Sequence, residues 1–173
     1  MSDLERVLRV FASQTDRQIR EIDYLLEEEH EWVYTKKEAE NLSSRIIGVF
    51  IASLCGETEE KIGVKFSKII DQLSDRKDQK TSKYKFQGIP KDSNLKGRAE
   101  TMWAIRLAYT HGNGLISQID DKRLRSCVND KFLPGISIDS EKIILSISVI
   151  MPCVRTVVEI IEKFKKTYDS FSK

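Results

Sequence analysis

The segment RAETMWAIRLAYTHGNG, residues 98–114, decides the fold class. Ala99, Met102, Trp103, Ile105, Leu107 and Ala108 make a helix over about 98–110 apolar around much of its circumference. Such a helix belongs inside a bundle rather than on its surface. Gly112 and Gly114 follow it, and glycine accepts the left-handed conformation that ends a helix. Upstream, Leu4, Val7, Leu8, Phe11, Ile19, Ile22, Leu25 and Leu26 recur at three- and four-residue steps, predicting an amphipathic helix over about 3–31. Thr35 with Glu38 has the form of a capping box and opens a second helix carrying Leu42, Ile46, Val49, Phe50 and Leu54. Gly56 is expected to end it, and Thr58 to cap a third helix carrying Ile62, Phe66, Ile69, Ile70 and Leu73. Downstream, residues 115–130 suggest a short helix and Leu133-Pro134-Gly135 a turn. A last stripe runs through Ile143, Ile147, Ile150, Val154, Val157, Val158, Ile161, Phe164 and Tyr168, with Asp139 as its cap and a kink at Pro152. Ile136-Ser137-Ile138 is a short strand candidate. The expectation is an all-α antiparallel bundle of four to six helices, one domain over 1–173.

Between residues 75 and 97 the periodicity disappears. The segment DRKDQKTSKYKFQGIPKDSNLKG reads as a basic loop, long enough to suggest a function of its own. Its Lys77, Lys80, Lys83, Lys85, Lys91 and Lys96, with Arg98 after it, interleave with Tyr84 and Phe86. Cations with aromatics are the usual makings of a surface for single-stranded nucleic acid, and equally of a solvated loop that resists aggregation.

The whole chain has 29 Lys+Arg against 27 Asp+Glu, a net charge of +2 over 173 residues, which gives no general affinity for nucleic acid. The regional charge differs. Residues 1–60 carry seven basic and fourteen acidic side chains, net −7; residues 61–98 carry eleven and four, net +7. Two His and three separated Cys, at 55, 127 and 153, supply neither a CxxC nor an HExxH zinc motif, so neither metal nor cofactor is expected. Unclustered Cys suggest reduced thiols and a cytoplasmic location. Ile143–Val154, the most apolar run, falls well short of the roughly 20 residues needed to cross a bilayer, so no membrane partner is expected.

Chemistry concentrates in Arg106 and His111. A guanidinium in an apolar helix needs a reason to be there, because burying it unpaired is costly. Its planar fork suits phosphate oxygens. His111 comes at the helix end, and imidazole titrates near neutral pH and moves protons. The bland alternatives are a structural arginine bonded to a helix end and a histidine favoured there by the dipole. Asn113 suits either substrate or the loop backbone; Tyr109 and Thr110 suit RNA, packing or capping. His30, between Glu29 and Glu31, reads as part of a solvated helix end.

Arg106 to His111 with the trailing HGNG resembles the R-x4-H form of the R-x4–6-H motif of HEPN domains. The resemblance implies a helical bundle, dimerisation through the motif helices, and a composite cleft lined by Arg and His of two protomers. It further implies a metal-independent endoribonuclease of toxin–antitoxin or phage-defence type, leaving a 2′,3′-cyclic phosphate and a 5′-hydroxyl. The expected partners are RNA, a second copy and a neutralising antitoxin-like protein. Arg106 and His111 would be catalytic; Asn113, Tyr109, Thr110, Lys96 and Arg98 would hold substrate. Catalytic members usually carry a polar residue directly after the motif arginine, where this chain has Leu107. That departure motivates the alternative, a catalytically silent HEPN-like module binding a protein or a nucleotide. A helical adaptor that docks a partner through its acidic first helix is a third reading.

Overall fold

The computed structural model describes residues 3–27, 35–73 and 92–171. His30, Trp32 and most of the basic loop, including Lys77, Lys80, Lys83, Tyr84, Lys85, Phe86 and Lys91, lie outside the described residues. Within them are six α-helices and one hairpin: α1 Asp3–Glu27, α2 Lys36–Ile62, α3 Phe66–Gln72, α4 Ser93–Gly112, α5 Lys122–Cys127, β1 Ile136–Asp139, β2 Lys142–Leu145 and α6 Ile150–Phe171. The helical bundle follows from the apolar stripes. The position of several boundaries does not.

The capping box at Thr35 forms in full. Thr35 Oγ1 accepts from Glu38 N–H, and Glu38 Oε2 accepts from Thr35 N–H at 2.7 Å. The Thr35 N–H first, and then the Thr35 hydroxyl, donate to the Glu38 carboxylate and hold it below its ordinary range. From there α2 runs straight through Gly56 instead of ending at it. Thr58 caps nothing: it is buried, and its hydroxyl donates back to the Leu54 carbonyl at 2.7 Å. The stop comes at Gly63, whose φ of 73° is the left-handed value glycine tolerates, with its N–H bonded to Glu59 O. The short α3 follows after the break.

Helix α4 begins earlier than its apolar run suggests. Asp92 caps it by accepting Leu95 N–H at 2.9 Å, so residues 93–97 of the expected loop are helical. Asp92 also meets Lys163 of α6 at 3.3 Å. These contacts hold its carboxyl low, the Leu95 bond first, against an opposing effect of burial. Ala99, Met102, Ala104, Ile105 and Ala108 are wholly buried, which places α4 at the centre as its composition requires. It packs most extensively on α2, and also against α3, α5 and α6. Buried residues of α1, α2, α4, α6 and the hairpin join in one apolar cluster.

The largest correction concerns residues 136–149. Ile143 is not in the last helix; it lies in β2, paired antiparallel with Ile138 of β1. Asp139 caps nothing; it ends β1 opposite Lys142. Ser140 and Glu141 both take positive φ, 47° and 69°, forming the tight two-residue turn that matches strand twist. The far edge of β2 is taken by the chain leaving α4, through Ile143 N–H to Gly114 O and Ile116 N–H to Glu141 O. Pro152 is the third residue of α6, where a missing N–H costs nothing, so it belongs to the helix start and not to an interior kink. No described helix is long and apolar enough to cross a membrane.

Candidate functional site at the end of helix α4

Arg106 faces α2. Its Nη1 lies 3.2 Å from Glu59 Oε2, with the arginine side chain 25% exposed and the glutamate 16%. The other oxygen, Glu59 Oε1, accepts the Phe66 N–H at 2.8 Å, the first orphan amide of α3. One turn before Arg106, Trp103 lays its ring under the guanidinium, with 4.8 Å between Cζ and the ring centroid. Trp103 in turn stacks on Phe66, 5.9 Å between centroids and 15° between planes. Two charges, an indole and a phenyl ring thus interlock at the α2–α3–α4 junction. Nη1 is sealed from solvent, yet its hydrogens are not aimed at Glu59 within hydrogen-bond geometry. The contact is Coulombic and leaves part of the fork unspent.

His111 is exposed in the last turn of α4. The helix stays regular through Gly112, so it does not unwind early enough to swing His111 toward Arg106. Five residues at about 100° each leave the two side chains about 140° apart around the axis. One chain by itself does not join them. Asn113 supplies the stop, with φ 52° and its N–H bonded to Ala108 O; its side chain is exposed, as are Thr110 and His111.

The remaining candidates separate. Tyr109 turns inward and is buried. Its hydroxyl donates to Ile143 O at 2.6 Å and shares a hydrogen bond with Ser44 Oγ, while burial pushes the phenol's pKa up against that bond. Lys96 is 3.6 Å from buried Glu100, which also pairs with Arg123 at 2.8 Å. Arg98 forks onto Glu159 of α6. Lys96 and Arg98 are thus held in ion pairs, the first within α4 and the second to α6, two or more turns from Arg106. Cys55 and Cys153 are fully buried, and burial drives both thiols well up from their ordinary range. Cys127, half-buried beside Glu100, is raised by burial and by that carboxylate. Neither Cys55 nor Cys153 is reachable as a nucleophile.

Among the described residues, no three His, Cys, Asp or Glu side chains gather as metal ligands would. The residue that sequence reading missed is Glu59. The signal was present: an arginine in an apolar helix requires a counter-charge, and the end of α2 supplies Glu57, Glu59 and Glu60. Only the packing of α2 on α4 selects which one. No family model, curated protein or solved structure matches the chain.

Proposed function

We propose that the chain is a HEPN-type endoribonuclease working as a homodimer without a metal. The observation that carries this reading is the division of labour along α4. Arg106 is oriented and partly sheltered, with donor capacity in reserve, and His111 stands exposed five residues on. Two copies meeting along their motif helices would bring the arginine of one chain to the histidine of the other. One His111 would then take the proton from an RNA 2′-hydroxyl as its oxygen attacks the adjacent phosphorus. The second would return a proton to the departing 5′-oxygen, and Arg106 would offset the charge gathering on the phosphoryl oxygens. The P–O5′ bond breaks as the P–O2′ bond forms, giving a 2′,3′-cyclic phosphate and a 5′-hydroxyl. A toxin or phage-defence role, with a neutralising partner protein, completes the proposal.

A specific observation favours a second reading. Glu59 already neutralises Arg106, and Leu107 brings no polar group to help it. An arginine so paired could serve a silent module that binds a protein or a nucleotide. Incubating the purified protein with single-stranded RNA in EDTA separates the two. The nuclease reading expects cleavage that survives chelation, with the stated end groups, and a loss of about 10²–10⁴-fold in His111→Ala and Arg106→Ala. Intact RNA after incubation with folded wild type selects the silent module.

A further inference from the structure

We propose that Glu59 is the positioning residue of this site: an internal carboxylate that holds Arg106 in place until the phosphate of an RNA phosphodiester displaces it. The inference rests on the ribonuclease reading for its substrate class and deepens it by naming how the arginine is kept ready. Three contacts support it. Glu59 is itself anchored, through Oε1, to the Phe66 N–H. Its second oxygen is close enough to Arg106 to attract it, but the pair lacks hydrogen-bond alignment and leaves a sheltered donor unused. Trp103 lies beneath the guanidinium and is braced by Phe66, the residue whose amide Glu59 holds. A carboxylate with better alignment would spend the fork. A guanidinium with no carboxylate nearby would be a half-buried charge free to swing out to solvent. The observed arrangement lies between these, with the unused donor sealed. A phosphate meeting the exposed part of the side chain must therefore draw the guanidinium off Trp103 and away from Glu59, and it then offers the alignment that Glu59 does not.

The arrangement carries an optical reporter, because lifting the guanidinium from the indole alters Trp103 emission. Trp32→Phe leaves Trp103 as the only tryptophan. In that background, titration with inorganic phosphate should change the emission, and Arg106→Ala should abolish the response. Glu59→Gln keeps an acceptor for Phe66 N–H but removes the competing charge. It should tighten phosphate binding about tenfold. Against RNA the same variant should show the opposite sign in turnover, with kcat down about tenfold or more and KM unchanged or lower, because the arginine binds without being aimed. A merely structural Glu59 would lower thermal stability and leave phosphate affinity where it was. The assignment is overturned if folded Glu59→Gln binds phosphate no more tightly than its parent, or more weakly. Should Glu59→Gln not fold, the parent decides: no Trp103 response at saturating phosphate overturns it. If phosphate binding tightens while the wild type cleaves no RNA, the nuclease reading fails and the role of Glu59 over Arg106 stands.

Discussion

Tyr109 shows how a residue inside the motif can serve the scaffold. Its ring lies against the backbone of α2 at Gly48, where any Cβ would fall inside the ring. Its hydroxyl closes a small network across three elements: it donates to Ile143 O in β2, receives from Ser44 Oγ in α2, and Ser44 Oγ accepts Leu145 N–H at 2.9 Å. The hairpin is therefore fastened to α2 through the residue two before His111. Tyr109→Phe keeps the ring and removes the short bond to the buried Ile143 carbonyl, leaving it only the long Ser44 hydroxyl contact at 3.4 Å. The expected cost is about 1–3 kcal/mol. At about 2–4 °C per kcal/mol for a chain of this length, the midpoint in a thermal melt should fall by about 2–12 °C. If Tyr109 is a scaffold residue, KM for RNA should stay near wild type in this variant at a temperature where it is folded. A large rise in KM would make the hydroxyl a substrate ligand instead. Gly48→Ala should cost more than Tyr109→Phe, because the ring must leave its seat altogether.

At the scale of elements, Asp92 couples the start of α4 to α6. The carboxylate caps Leu95 N–H and meets Lys163, and both contacts favour its charged form. Its folded pKa is thus lowered from the unfolded value. In the interval between the two values the unfolded chain binds the extra proton, so stability rises with pH there. The contribution is complete above the ordinary aspartate range and is lost as pH falls through the folded value. Asp92→Ala should lower unfolding free energy by about 1 kcal/mol at neutral pH. The deficit should shrink in acid, and urea melts at several pH values would show it; a constant deficit would remove the carboxylate's charge from the account. The same element shows what the sequence could convey. The apolar circumference of α4 and the capping box of α2 were readable because each depends on neighbours a few residues away. Gly56 misled because a glycine can sit in an otherwise sound helix, and the left-handed stop belonged to Gly63. The hairpin was hidden because Ile143, Ile147 and Ile150 keep helical spacing across a strand, a 3-10 turn and a helix start. Its Ser140-Glu141 turn also lacks the glycine that usually announces such turns. Glu59 was legible only as one of three acids at the end of α2, and Ser44 not at all, since the partner that gives each its meaning lies on a helix more than 40 residues away.

The whole molecule has to answer a question that one chain leaves open, namely how Arg106 and His111 could meet. The open side of α2 bears on it. Val49, Ala52 and Gly56 follow at helical spacing on that side, Val49 53% exposed and Gly56 with nothing within 4 Å of an added Cβ. Trp103 and Leu107, half-buried, lie on α4, the helix α2 packs most closely against. Small and apolar residues there allow backbones to approach, and the guanidinium sits at the same junction. Two substitutions at one position separate the fold from the assembly. Gly56→Ala removes a flexible residue from a helix interior without creating a clash, so it should stabilise the chain by about 0.5–1 kcal/mol. Gly56→Arg places a long cation beside the α2–α4 junction at which the proposed dimer would form, while its own helix has room for it. Sedimentation should therefore find a dimer in the wild type and a folded monomer in Gly56→Arg. RNA cleavage should fall with the dimer, because each half-site would keep its arginine or its histidine without the other chain's complement. A wild type that is monomeric at every concentration, yet cleaves RNA, would mean that the two side chains meet within one chain, by an unwinding of α4 that the folded helix does not show.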